Sequence, residues 1–186
     1  MTYPDVSLMQ KAAAELGYPA MTPFFPEPII ADPAIVGQFR RLHQCLEQNA
    51  PPLERESRLL WFLSQLIHRH GELRSPVLPI QPPSLVIEQA QAYLQRHHQD
   101  AIRLADLASA VDVSPLQLLR LCRKAWGLPP HRYLIQIRVR QAKQLISEGL
   151  ALSEVAAATG FADQSHLNRH FKRMVGVTPG QYQQGC

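Results

Sequence analysis

The chain of 186 residues is short of cysteine, and its Cys45, Cys122 and Cys186 are odd in number and widely spaced. Neither a disulfide framework nor a CxxC metal knuckle can be built from them, so they read as reduced thiols. No apolar run approaches the roughly 20 residues that a membrane span requires, and no basic segment with an apolar secretory core opens the chain. A cytoplasmic location with no membrane partner is therefore expected. With 46% hydrophobic residues, disorder is not the default either. Acid is scarce in one half only: residues 1–83 hold seven Lys+Arg against eight Asp+Glu, whereas 84–186 hold twelve against seven, a net of +5. A basic C-terminal half suits a polyanionic partner, because neutralising phosphates releases counterions.

Twelve of the sixteen prolines precede Ser84 and cut the first part into short helices joined by extended segments, Pro19 to Pro33 among them. Asp32 and Pro33 start a helix whose Ile35, Val36, Phe39, Leu42 and Leu46 recur on one face, ending near Gln48. Pro51 and Pro52 open a second, striped by Leu53, Leu59, Leu60, Leu63, Leu66 and Ile67 and running to about His70. Two such helices on a short link predict an antiparallel hairpin. A homodimer through residues 33–70, around Trp61 and Phe62, is one expected use of its remaining face. Residues 76–83 carry Pro76, Pro79, Pro82 and Pro83 and read as a semi-rigid linker, which places the domain boundary between 1–75 and 84–186.

The second domain says nearly the same thing twice. Moved forward by 49 positions, Leu118, Arg120, Gly127, Pro130 and Tyr133 fall on Leu167, Arg169, Gly176, Pro179 and Tyr182, and the basic pair Arg123 and Lys124 falls on Lys172 and Arg173. Upstream the offset drops by one, so that Leu104 meets Leu152 and Val113 meets Phe161. Helices are expected over 84–98, 104–111, 114–125, 130–148, 153–159 and 163–175, with Ser114 as an N-cap and Pro115 at the first helical position. The expected fold is all-α: an N-terminal helical hairpin, then two helix-turn-helix units, about 104–125 and 152–175, joined by a long connecting helix.

The spacing within each copy explains that reading. A helix-turn-helix packs its first helix on its second through a small residue and turns sharply four residues later, where the backbone must tolerate positive φ. Ala156 and Gly160 supply the pair in the second copy, Ala108 and Asp112 in the first. Leu118, Leu121 and Cys122 anchor the first reading helix, Leu167 and Phe171 the second. The free face of the first then carries Leu116, Gln117, Arg120 and Lys124; that of the second carries Gln164, Ser165, Asn168, Arg169 and Lys172. Gln and Asn bond adenine bidentately, Arg does the same to guanine, and Leu116 suits a thymine methyl. An isolated arginine would be read as solvated or phosphate-pairing. The repeated Arg120 and Arg169 favour DNA contact, with the second unit as the more polar reader and with Ser165 and His166 standing where the first has Leu116 and Gln117.

The segment LSEVAAATGFADQSHLNRHFKRMVGVTPGQY, from Leu152 to Tyr182, resembles the signature of AraC/XylS-type transcription regulators, and the likeness extends back through IRLADLASAVDVSP to about Ser84. It implies two helix-turn-helix units on a rigid helix, reading successive major-groove segments about 34 Å apart, usually to activate transcription, with RNA polymerase as a further partner. Base-contacting positions carried over from the family are Leu116, Leu119, Arg120, Gln164, Ser165, Asn168 and Arg169. The resemblance also implies a buried Arg138–Asp106 pair, and it makes Cys122 a departure from the usual phenylalanine, for which Trp126 is expected to compensate. Many members of the family carry an effector-binding barrel first. Residues 1–75 resemble the helical tail of such a sensor domain, Met1 to Pro4 being read as the end of a last barrel strand in a shortened chain.

Three other readings compete with a DNA-binding regulator that needs no cofactor. A DNA-repair alkyltransferase fragment requires an activated thiolate, and no cysteine has a sequence neighbour that would activate it. A metal sensor would have to use His43 with Cys45 or His68 with His70, yet residues two apart on a helix face different ways. A short form that modulates a full-length relative through its N-terminal helices is the third.

Overall fold

The computed structural model describes residues 6–16, 18, 23–27, 29–71 and 83–185, among which every regular element is a helix. Met1 to Pro4 and most of the 76–83 linker lie outside the described residues, and Pro83 already opens a helix. Helix α1, Val6–Glu15, was not expected from the sequence; it buries Met9, Ala12 and Ala13. Helices α2, Pro33–Glu47, and α3, Pro52–His70, form the expected hairpin. Asp32 fastens it at one end, its Oδ1 accepting from the amides of Ala34 and Ile35 and its Oδ2 from Arg69 Nε at 2.8 Å. One carboxylate thus caps the start of α2 and grips the end of α3.

The second part follows the repeat. Helix α4, Pro83–Arg96, leads into α5, Leu104–Ala110, and α6, Pro115–Trp126; the long α7, Pro130–Ser147, is followed by α8, Leu152–Ala158, α9, Gln164–Val175, and α10, Pro179–Gln184. Helix α7 belongs to both units. Its Leu134 and Ile137 enter the first core with Leu94, Leu107, Leu118 and Leu119, while Ile135, Val139, Ala142 and Ile146 enter the second with Val155, Phe161, Leu167 and Phe171. Eighteen residues give it a length of about 27 Å.

Copies differ where the sequence differs. In the second unit Phe171 meets Tyr182 edge to face, ring centroids 5.4 Å apart. Cys122 holds the matching place in the first and has no ring to set against Tyr133; Trp126 stacks on that ring at 4.3 Å, as expected. Arg138 corrects the sequence reading: it is buried, but Asp106 is exposed and is not its partner. Its Nε donates to the carbonyl of His98 at 2.6 Å and its Nη2 to that of Asp100 at 2.9 Å. Burial brings this guanidinium down to about 10 while the Asp100 charge opposes the shift. It ties α7 to the turn between α4 and α5, donating to the carbonyl of His98 and sharing that of Asp100 with the amide of Ile102.

Candidate nucleic-acid interface

Both reading helices are built by the same local chemistry. Ser114 Oγ accepts from the amide of Gln117 at 3.3 Å, and Asp163 Oδ1 from that of His166 at 2.7 Å, so each helix starts on a side-chain cap 49 positions apart. The turns before them carry positive φ, 51° at Asp112 and 76° at Gly160. Gly160 has a second reason to be glycine. A Cβ there would stand 2.6 Å from the carbonyl oxygen of Gln99 and 2.8 Å from that of His98, the strand of backbone that Arg138 also holds.

On α9, Gln164, Ser165, Arg169 and Lys172 are exposed and Asn168 is half-buried. His166 is not presented beside Ser165; it turns inward. Its Nδ1 faces the amide of Ala162 at 3.4 Å, its ring meets Phe161 and His170, and His170 Nδ1 lies 2.9 Å from Arg173 Nη2. An amide and a guanidinium can only donate, so both imidazoles are held neutral with a lone pair at Nδ1. Burial, then the charge of Arg169, lowers the pKa of His166; burial, His166 and Arg173 bring that of His170 down to about 3.

The pH dependence follows in sign. An unfolded histidine takes up its proton near pH 6.5 while folded His170 resists, so the unfolded state binds more protons between 6.5 and about 3. The stability it contributes is complete above 6.5 and is lost as pH falls, by up to about 1.4 kcal/mol per unit. Urea midpoints at pH 7.5 and 5.5 measure this. His170→Gln is expected to lessen the difference, and an unchanged difference would remove His170 from the account.

The first reader is different, because the N-terminal helices cover it. Leu116 is not on a free face: it is 0% exposed, packed with Met9, Ala12, Ala13, Leu63 and Ile67 of α1 and α3. Leu119 is 0% exposed too, in a core that includes Leu53 and is flanked by Leu60 and Trp61. Arg120 and Lys124 remain exposed and Gln117 half-exposed. The cover extends to charged groups. Glu15 Oε2 accepts from the amide of Leu116 at 3.3 Å, at the start of α6, and Glu56 takes the amide of Leu104 at 2.7 Å and Arg103 Nε at 3.2 Å, at the start of α5. Carboxylates stand at helix N-termini, where a backbone phosphate is favoured by the same dipole and amides. Arg123 lies over the Trp61 ring at 4.0 Å, and Arg169 of the second reader donates to Gln48 Oε1 at 2.8 Å.

Trp61 is thus engaged within the chain; the exposed large apolar residues of α2 are Val36, Phe39 and Leu46. Glu15, Glu56 and Gln48 were not legible as parts of this surface, since each acts on a residue at least 47 positions away. Burial pushes the Cys122 thiol up to about 12 and raises that of Cys45. Thiols so placed stay protonated and are poor nucleophiles. No helix among the described residues is long and apolar enough to cross a membrane.

A family model described as a helix-turn-helix domain matches residues 107–185. An uncharacterised HTH-type transcriptional regulator of Bacillus subtilis, YbfI, is 30% identical over 164 residues, which are 88% of this chain and 58% of that protein. The HTH-type transcriptional activator RhaS of Escherichia fergusonii is 30% identical over 95 residues, 50% of this chain and 34% of its own. The solved C-terminal domain of AraT, a response regulator from Geobacillus stearothermophilus, is similar with a TM-score of 0.53 and 30% identity, covering 57% of this chain and 89% of that one. The chain spans less than two thirds of either curated relative.

Proposed function

We propose, on the premise that the chain belongs to the AraC family of helix-turn-helix transcription regulators, that it activates transcription by reading duplex DNA with α6 and α9. The observation that carries this is the pair of capped reading helices on one shared α7, with Gln164, Ser165 and Arg169 exposed on the second. Activation, with RNA polymerase as partner, draws on the relative named as a transcriptional activator. The two readers are unequal. Helix α9 supplies hydrogen-bonded base contacts through Gln164, Asn168 and Arg169, with Ser165 beside them and Lys172 on a phosphate, while α6 offers Gln117, Arg120 and Lys124 around an apolar Leu116.

Because Leu116 lies beneath α1 and α3, full engagement of the first reader requires those helices to move. The arrangement described is then a closed form, in which α9 makes the first approach to DNA once Arg169 exchanges Gln48 for a base. Fluorescence anisotropy with a selected and a random duplex, across a salt series, tests base reading. Arg169→Ala is expected to weaken the selected duplex about 10- to 100-fold and the random one far less, since a bidentate contact is worth roughly 1–3 kcal/mol of discrimination. Equal weakening of both would reduce Arg169 to a phosphate contact.

A further inference from the structure

Between the hairpin and the first helix-turn-helix unit lies a cavity of about 400 Å3 that base reading does not use. Its walls come from two parts of the chain: Gln38, Arg41, Ser57 and Arg58 from α2 and α3, and Arg123, His131 and Arg132 from the ends of α6 and α7. Trp61 adds a flat apolar surface. Of the four guanidinium groups, Arg58 alone forms an ion pair among the described residues, with Glu54 at 2.8 Å. The crowding of like charge is felt by Arg123, whose pKa is lowered by burial and then by Arg58 and Arg41.

A second, independent observation points to a ligand. The buried side-chain atoms that lack a hydrogen-bond partner among the described residues are Gln38 Oε1, Ser57 Oγ and His131 Nδ1, and all three residues line this cavity. Ser57 is 2% exposed and His131 5%. Buried polar atoms are ordinarily paired, and a cluster of orphans calls for a partner that the protein itself does not supply. Ser57 and a neutral His131 with its proton on Nδ1 can each donate to an oxygen, Gln38 Oε1 accepts from a hydroxyl of the ligand, and the arginines present the planar forks that match carboxylate and phosphate oxygens. The volume lies in the range of small-molecule sites, and the apolar wall accommodates a carbon skeleton.

We propose that this cavity binds a small organic oxyanion of more than one negative charge, a phosphate ester or a polycarboxylate, gripped from both walls at once. A ligand that bridges hairpin and reading unit binds the closed form better than an open one, and therefore opposes DNA at the first reader by the same free energy. That consequence rests on the closed form proposed above; the site itself does not.

Pyrophosphate is a suitable probe, used on the full chain against sodium chloride at matched ionic strength. Saturable stabilisation is expected, about 5 °C or more in the unfolding midpoint at a hundred-fold excess over its dissociation constant. Arg41→Gln should abolish it and Arg132→Gln should weaken it, whereas Arg40→Gln, on the same helix but outside the cavity, should leave it unchanged. Arg41 is exposed, so its loss does not threaten folding. Stabilisation that never saturates, that chloride reproduces, or that survives Arg41→Gln overturns the site. DNA backbone phosphate offers the same oxyanion chemistry, and Arg41, which belongs to the hairpin, separates the two. Pyrophosphate is expected to weaken binding of a random duplex beyond the chloride control in the wild type and not in Arg41→Gln. An excess that persists in Arg41→Gln places the anion on the DNA-contacting face and overturns the proposal. Saturable, Arg41-dependent stabilisation with no excess effect on DNA supports the site and overturns the closed-form reading instead.

Discussion

Replacing Leu60 and Trp61 together by alanine is expected to tighten specific DNA binding about 100-fold. Both side chains are partly buried where α3 packs against the first unit, Trp61 under the Arg123 guanidinium and Leu60 between the first core and the cluster that covers Leu116. Truncating a large, partly buried side chain in such a contact costs about 1.5 kcal/mol, so the pair weakens closure by about 3 kcal/mol, a factor on the order of 100. The apparent affinity of a protein whose competent form is rare is reduced by the fraction that is competent, and raising that fraction restores it. The gain is bounded by how completely the wild type is closed. Anisotropy on a selected duplex measures it, with circular dichroism to show that the helices persist. Binding that is unchanged in a folded double variant would mean that the hairpin does not stand in the way of DNA. The first core retains Leu94, Leu107, Leu118, Leu119 and Ile137 in the variant, so the reading unit itself is preserved.

Gly160→Ala acts on folding rather than on closure, and its expected cost is about 3–5 kcal/mol. Two effects combine. The residue sits at φ 76°, where an L side chain costs roughly 1–2 kcal/mol. Its Cβ would also collide with backbone atoms of His98 and Gln99, which cannot rotate away as a side chain can. Relief requires the α8–α9 turn to separate from the turn after α4, and that turn is held by Arg138. Chemical denaturation should show the second unit unfolding early, with loss of the Phe161, Leu167 and Phe171 cluster. Wild-type stability in Gly160→Ala would mean that the close approach to Gln99 is not maintained in solution. Asp112, at φ 51° in the matching place of the first unit, shows that positive φ alone is tolerable; the tight contact makes the second turn stricter.

The two reading units were legible because their signals are local. Ser114 and Asp163 cap helices within three residues of themselves, and the alanine-to-turn spacing places Asp112 and Gly160 with no knowledge of what surrounds them. The hairpin was legible for the same reason, its stripes being periodic and Asp32 and Pro33 adjacent. What failed was long-range. Leu116 looks like any apolar residue on a reading helix, and nothing near it announces that Met9, Leu63 and Ile67 will bury it. Helix α1 has small alanines at two of its buried positions, Ala12 and Ala13, and so shows only a faint apolar stripe. The family resemblance gave Arg138 the partner Asp106, and no sequence signal marks the backbone carbonyls of His98 and Asp100 that hold it instead. On α9 the exposure of Gln164, Ser165, Arg169 and Lys172 was legible from the helical spacing, and the inward turn of His166 was not.

Helix α7 enters both cores with adjacent residues, Leu134 beside Ile135 and Ile137 near Val139, so the angular phase between the two readers is a property of one rod. Adding a single residue to that rod would turn one unit about 100° against the other. On the duplex, one base pair more or less between half-sites turns the second by about 34–36°. Neither mismatch can be absorbed by a hinge, because α7 has no break and Arg138 seals its flank to the turn at His98 and Asp100. If α6 and α9 read duplex DNA as proposed, the strain of an imperfect spacing falls on the nucleic acid, which must overwind or bend, and the stiffness of base pairs that no side chain touches becomes part of what is distinguished.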